Sequence, residues 1–228
     1  MNLSERDSTT GDTLNSDSQT PVVRTSAATH LPLTEQQMQA VHIEPLTPLL
    51  QPIHIADYDS AWPRLFEREA ARLHATLGDR ILLLEHIGST SVPDLAAKPI
   101  IDMLLVIANS ADERTYVPDL EAGGYVLRIR EPDWYEHRLF KGPETDINLH
   151  VFSSGCLEID RVLLFRNWLR GNPADRELYE RTKRELARQE WKDVQNYADA
   201  KTTVVRTILA RAQEAAEDQE RRNGEGDI

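Results

Sequence analysis

Two hydrophobic periods run along this chain, one of strands and one of helices, and they are framed by polar ends. Ile81-Leu-Leu-Leu84 is a short apolar run that leads into His86-Ile87-Gly88-Ser89, and a second run starts at Ile100 and carries one acid, Asp102. Apolar runs of this length bounded by turn formers read as buried strands. They predict strand 81–87, a small-residue turn, a connector with a short helix near 91–97, and strand 100–107. Upstream, Trp62, Leu65, Phe66, Leu73 and Leu77 recur at helical spacing, with Asp59 or Ser60 as a cap, Pro63 in the first turn and Gly78-Asp79 as the stop. A helix over 111–122 is expected to end at Gly123-Gly124. Strands follow near 125–130, 135–140 and 146–152. Three helical segments near 158–170, 173–189 and 194–213 close the chain, with Gly171-Asn172-Pro173 as a break. The fold class this order predicts is α+β with an α/β-like core: a mixed sheet flanked by helices, then C-terminal helices.

The ends differ from this core. Residues 1–50 are rich in Ser, Thr, Asp, Gln and Pro without sustained periodicity, which predicts a disordered polar tail. Residues 51–211 form the expected domain, and 212–228 a charged tail after the last helix. A chain of 228 residues suits one domain plus tails. No apolar run approaches the ~20 residues of a membrane span. The acidic N-terminus has no apolar stretch of the secretory kind, and a single cysteine, Cys156, excludes an intrachain disulfide and a cysteine-based zinc site. These features make a cytoplasmic location the expectation, with no membrane contact. The net charge of −12 is uneven: residues 161–211 hold 12 Lys or Arg against 7 Asp or Glu. That basic segment is either a tract for an anionic partner such as tRNA or a solvated helical face laced with Arg–Glu pairs.

Candidate chemistry gathers around the first strand pair. Gly88 allows close backbone approach, and the turn hydroxyls of Ser89, Thr90 and Ser91 suit phosphate cradling, an acyl-accepting nucleophile or plain turn formation. Asp102 inside an apolar run is costly unless it has a partner or a task. Lys98 could bind a phosphate, pair with Asp102, or lie on the surface. Strand alternation puts Asp146, Asn148 and His150 on one face, either a pocket wall or a solvent face, with His150 a general base or hydrogen-bond donor in the first case. Arg138 and Lys141 are possible anion ligands. Glu131, Asp133, Glu136, Glu144 and Asp146 cluster in sequence with Trp134 and Tyr135, which suits a cationic substrate or an exposed hairpin rim. Among the basic helical residues, Arg166, Arg181, Lys183, Arg184 and Lys201 are the expected RNA contacts.

YDSAWPRLFEREAARL (58–73), HIGSTSVPDLAAKPIIDMLL (86–105), GGYVLR (123–128), RLFKG (138–142), NLHVF (148–152), LLFRNWLRGNP (163–173) and YADAK (197–201) resemble the GrpB family. That resemblance implies a polymerase-β-like nucleotidyltransferase fold. A nucleotidyltransferase of that kind would carry an acid pair one residue apart and a third acid on a neighbouring strand, to hold two Mg²⁺ ions. Here Asp102 is present, the second position is Leu104, and the third strand reads Asp146-Ile-Asn148-Leu-His150, so no metal site is expected. The chain also resembles fungal arginine-containing cyclodipeptide synthases. That resemblance implies arginine joined to a second amino acid from arginyl-tRNA and a second aminoacyl-tRNA, giving a cyclo-Arg-Xaa diketopiperazine without metal, ATP, other cofactor or stable protein partner. In this reading Ser89, Asp102 and His150 are catalytic. Gly88, Thr90, Ser91, Lys98, Glu136, Arg138, Asp146 and Asn148 bind substrate. The alternative is a nucleotidyltransferase-like enzyme on a nucleotide or small substrate, or a non-catalytic nucleotide- or protein-binding module.

Overall fold

The computed structural model describes residues 34–43 and 52–225. In chain order the elements are α1 (Glu35–Val41), α2 (Trp62–Leu77), β1 (Leu83–Ile87), β2 (Ile101–Ile107), α3 (Val117–Ala122), β3 (Val126–Glu131), β4 (His137–Lys141), β5 (Ile147–Ser153), α4 (Leu157–Gly171), α5 (Pro173–Ala187), α6 (Val194–Ala200) and α7 (Thr202–Glu225). The five strands form one mixed sheet in the order β1-β2-β5-β4-β3. The β2–β5 pair is parallel and the other three are antiparallel. The α+β class expected from the pattern is the class observed.

The two faces of the sheet have different tasks. On one, Ile101, Met103, Leu105, Ile147, Leu149, Val151 and Phe140 pack under α2 and α3, against Leu73, Leu77 and Leu120. On the other, Leu104, Val106, Ile87 and Phe152 pack with Ile159 of α4. A third cluster joins Val92 and Leu95 of the connector to Leu169, Tyr179 and Ile208 of the closing helices. The register sets Asp102 opposite Asn148 and Leu104 opposite His150 on the α4 face. Asp102 thus lies at the end of an apolar surface, where the strand leaves the core.

Several sequence-level boundaries move. Residues 34–43 were assigned to the polar tail, yet α1 is closed by a Thr34–Gln37 capping box, buries Met38 and bridges β3 through His42. One buried methionine in a polar stretch leaves no periodic trace. The rest of 1–50 lies outside the described residues. The connector helix near 91–97 is instead a single 3-10 turn, Ser89–Ser91. The 111–122 helix is a 3-10 turn at 113–115 followed by the six-residue α3. The helix over 194–213 is broken at Lys201, and α7 continues to Glu225 through what was read as a charged tail. Among the described residues no helix is long and apolar enough to cross a membrane.

One charge sits on the buried stripe of α2. Glu69 is fully buried and accepts from Thr145 Oγ1 at 2.7 Å and Tyr125 Oη at 3.2 Å, with Arg72 Nη1 at 3.7 Å. It ties the helix to Tyr125, just before β3, and to the β4–β5 turn. Glu69→Ala takes the acceptor from the buried Tyr125 hydroxyl, at roughly 1–3 kcal/mol, while Thr145 keeps its bond from Arg68. A domain of this size loses about 2–4 °C per kcal/mol, so calorimetry should record a melting temperature lower by roughly 2–12 °C.

Candidate functional site

The site begins at the turn between β1 and the connector. Gly88 adopts φ 67°, ψ −175°, a conformation that glycine alone takes without strain. A Cβ at this position would lie 2.2 Å from Asp102 Oδ2. The acid and the turn backbone are therefore in direct contact. The turn hydroxyls divide their work. Ser91 Oγ donates to Gly88 O at 2.6 Å, and Thr90 Oγ1 donates to Ile100 O at 3.1 Å. Thr90 Oγ1 also accepts from His86 Nε2 at 3.0 Å. Burial lowers the His86 pKa to about 4, so this imidazole is a neutral donor. Thr90 and Ser91 thus hold the turn together, while Ser89, whose hydroxyl is bonded to Tyr179, lines the pocket beside Thr90.

That pocket encloses about 390 Å³ of space open to solvent, and its walls include Ser89, Lys98, Asp102, Asn148, Lys183 and Lys201. Among the described residues lining it, three are lysines and one, Asp102, is a carboxylate. Tyr197, itself 1 % exposed, forms part of the wall, with Lys201 Nζ 4.8 Å and Lys98 Nζ 5.6 Å from its ring centre. Lys183 donates to Ala96 O and lies 4.7 Å over the Tyr179 ring. Burial, then the neighbouring Lys201 ammonium, pulls Lys98 down to about 8 and Lys183 to about 7. Burial lowers Lys201 as well. Burial pushes the Asp102 carboxyl up, but His150, the Asn148 amide and the Lys201 ammonium outweigh it and hold the acid below its ordinary value. The pocket holds more positive than negative groups in a poorly solvated place, which is the electrostatics of an anion site.

Asn148 Nδ2 donates to Asp102 Oδ1 at 2.7 Å, and His150 Nε2 stands 4.0 Å from the same oxygen. His150 is backed by His137, whose Nε2 is 3.1 Å from His150 Nδ1, and His137 Nδ1 meets Glu131 Oε2 at 2.7 Å. The position after Asp102 on this face is Leu104, fully buried among Ile87, Phe152 and Ile159. A second metal-binding acid there would have to sit inside the core. Among the described residues no group of three or more His, Cys, Asp or Glu is arranged to hold a metal ion.

Other expected site residues lie elsewhere. Arg138 is on the opposite sheet face, buried, bonded to Glu113 at 2.6 Å and to Glu136 O at 2.8 Å, so the substrate contact expected of it is corrected. Glu136 is exposed in the β3–β4 turn, where its carbonyl meets Ser110 beyond the far end of β2 from Asp102, and its expected substrate role is corrected with it. Asp146 is an exposed rim residue paired with Lys141 at 2.8 Å. The acidic and aromatic wall does not assemble, because Glu131 turns inward to His137 while Glu144 pairs with Arg72. The basic helices also turn inward. Arg166 is buried against Glu85 and His86 O, and Lys183 is in the pocket, so neither presents the RNA-facing surface expected of it. Arg184 pairs with Asp57 and Glu180, and Arg181 is exposed. Sequence reading passed over Lys183 as a pocket residue, and over Tyr197 and His137. Tyr197 opens the same Tyr-Ala-Asp-Ala-Lys segment that singled out Lys201, and that neighbourhood was the available signal.

Fold and site together define an α+β protein with a sheet-end pocket of three lysines around one strand-borne aspartate. The GrpB protein profile matches residues 52–211, and the chain belongs to that family. It is 60% identical to a UPF0157 protein of Halalkalibacterium halodurans over 79% of this chain and 93% of the relative. A UPF0157 protein of Streptomyces coelicolor is 44% identical over 70% of this chain and 84% of its own length. The crystal structure of conserved protein GrpB from Enterococcus faecalis aligns with a TM-score of 0.64 at 34% identity, covering 72% of this chain and 99% of that one.

The Gly88–Asp102 contact gives a direct test. Gly88→Ala combines a glycine-only backbone conformation, costing about 1–3 kcal/mol, with a Cβ–carboxylate overlap. Chemical denaturation should show a loss of at least that size, and Asp102→Ala in the same background should recover part of it.

Proposed function

We propose that this chain binds a phosphate-bearing small molecule, a nucleotide in the first instance, in the pocket between the Gly88–Ser91 turn and Asp102. The convergence of Lys98, Lys183 and Lys201 on that pocket carries the reading. Buried ammonium groups close together repel and cost free energy when empty, and an anion relieves both penalties. The likeness of the strand–turn–strand motif to nucleotidyltransferases supports a nucleotide as the anion. In this reading the lysines hold the phosphates, Ser89 and the turn amides cradle an oxygen, and Asn148 fixes Asp102.

The finer reading, aminoacyl transfer from arginyl-tRNA to a cyclo-Arg-Xaa dipeptide, draws less support. It uses the same Ser89, Asp102 and His150, but the arginine-binding acidic wall is dispersed and two of its five RNA contacts are buried. Mass spectrometry of cells expressing the chain separates the two, since the second reading requires a new cyclic arginyl dipeptide.

Calorimetric titration with ATP, GTP, CTP, UTP and pyrophosphate, each with and without Mg²⁺, tests the first reading. At least one of these should bind, and Lys183→Met and Lys201→Met should each weaken it about tenfold or more, equivalent to about 1.4 kcal/mol. Absence of binding by the folded wild-type protein at millimolar ligand overturns the reading.

The lysines also set a pH dependence. Their charged forms bind the anion, and without ligand Lys183 loses its proton near 7 and Lys98 near 8. Binding must therefore take up protons. Affinity should fall as pH rises from about 7.5 to 9.5, where phosphate ionisation is complete, by up to about one log unit per pH unit for each titrating lysine. Titration in buffers of different ionisation enthalpy measures the uptake.

A further inference from the structure

The basic residues of the pocket differ in kind from those of the rest of the chain. Of the 26 basic residues, 21 are arginine and five are lysine, and three of the five lysines, Lys98, Lys183 and Lys201, line the pocket beside Asp102. Arginine stays charged and forks a phosphate with two bonds, so it is the stronger holder of an anion. Lysine can shed its proton when buried and act through a lone pair. A chain that mostly uses arginine, yet brings lysines to this one place, has put amines there.

The three amines are not equivalent. Lys183 is 2 % exposed, donates to Ala96 O and lies over the Tyr179 ring, which fixes its ammonium group in the wall. Lys201 Nζ lies 4.8 Å from the Tyr197 ring centre. Lys98 Nζ is farther from that ring, at 5.6 Å, and its side chain is only partly buried. Among the described residues it has no hydrogen-bond acceptor and no carboxylate in ion-pair contact. Its charged neighbours are Lys201 at the α6–α7 junction and Lys141 on β4, both like charges, and Asp102 on β2 and Asp146 before β5, both opposite ones. Burial and then Lys201 weigh most, and they hold the amine at about 8. A lysine desolvated beside another cation is an activated nucleophile.

We propose that Lys98 is a nucleophilic amine that forms an imine with aldehydes or ketones carrying a phosphate group, the charge of Lys183 and Lys201 holding that phosphate. This rests on the pocket's being a phosphate site, as argued above. In the step, the neutral Lys98 Nζ attacks the carbonyl carbon. A C=N bond replaces the C=O bond, and the oxygen leaves as water with the two amine protons. Uptake of one proton from solvent makes the imine a cation, and the Asp102 carboxylate supplies its counter-charge. The step needs no oxidant or reductant.

Pyridoxal phosphate, a phosphorylated aldehyde, is the probe. The full chain is mixed with an equimolar amount at about pH 7.5, the imine is fixed with borohydride, and the modified lysines are located by peptide mass spectrometry. At that pH an amine titrating near 8 is roughly a quarter neutral, against roughly a thousandth for an ordinary lysine. Its lower basicity offsets part of that advantage. Lys98 should therefore carry about tenfold or more label than Lys141 or Lys192, the two lysines outside the pocket. Pyridoxal without its phosphate should label Lys98 several-fold less, and pyrophosphate should protect it. Lys98→Arg keeps the cation and removes the nucleophile, so the preferred site should vanish with no other lysine taking its place. Label spread evenly over the five lysines, or favouring one other than Lys98, overturns the proposal. So does pyridoxal labelling Lys98 as strongly as its phosphate does. Nucleotide binding with Lys98 left unlabelled removes the imine and leaves the pocket reading standing. Selective, phosphate-dependent labelling of Lys98 without nucleotide binding keeps the imine and removes the nucleotide.

Discussion

A carboxylate pressed against a residue that has no side chain holds this site together. Asp102 leaves the apolar face of β2 where the chain at Gly88 passes so closely that even a methyl group would overlap its Oδ2. The acid survives there because Asn148, His150 and Lys201 favour its ionised form more strongly than burial opposes it. Once charged, it partly offsets the three ammonium groups around the pocket. Remove it and Lys98, Lys183 and Lys201 would face one another across a poorly solvated space with no counter-charge on the pocket wall. The turn, the acid and the lysines are therefore one electrostatic unit, and none of its parts is stable in this arrangement alone.

The basic C-terminal helices complete that unit from behind. Arg166 reaches His86 O at 2.9 Å, Arg170 donates twice to Ser91 O, and Lys183 donates to Ala96 O. Glu180 in turn accepts from Ala96 N at 3.2 Å. The segment from 86 to 98 has little regular structure, so its backbone polar groups need partners from elsewhere. The helices supply them as charge-assisted bonds, which are stronger than neutral ones. Three of the twelve Lys and Arg residues of 161–211, Arg166, Arg170 and Lys183, are thus directed at the protein's own loop.

The departure from the two-metal pattern also has a packing reason. Leu104 occupies the second acid position and belongs to the cluster under α4. A carboxylate there would be desolvated without a partner, a cost of several kcal/mol. On the face that carries Asp102, the chain is core at Leu104 and places His150 opposite it. The positive charge around the pocket comes from lysines on the connector, α5 and the α6–α7 junction.

The sequence by itself determined the α+β class, the five strands to within a few residues, the Gly88 turn and Asp102 as the anomalous acid. Each is written in local terms: period-two or period-3.6 apolar spacing, a glycine between two runs, a charge inside one of them. It also marked Ser89, Lys98, Asn148 and Lys201, all of which line the pocket. What only the tertiary structure decided is which polar residues share a place. Lys183 and Arg166 look like surface charges on amphipathic helices until α4 and α5 pack over the connector. Glu131 reads as hairpin rim, and His137 gives no signal, until the β3–β4 register sets them beside His150. Glu136 and Arg138 are near them in sequence, yet Glu136 is exposed in the turn before β4, and Arg138, next to His137 on β4, points to the opposite core because neighbours along a strand face opposite sides of the sheet. Local pattern carries local structure; a site made from four strands and three helices is defined by contacts across long sequence separations, which a single sequence does not encode in any periodic signal.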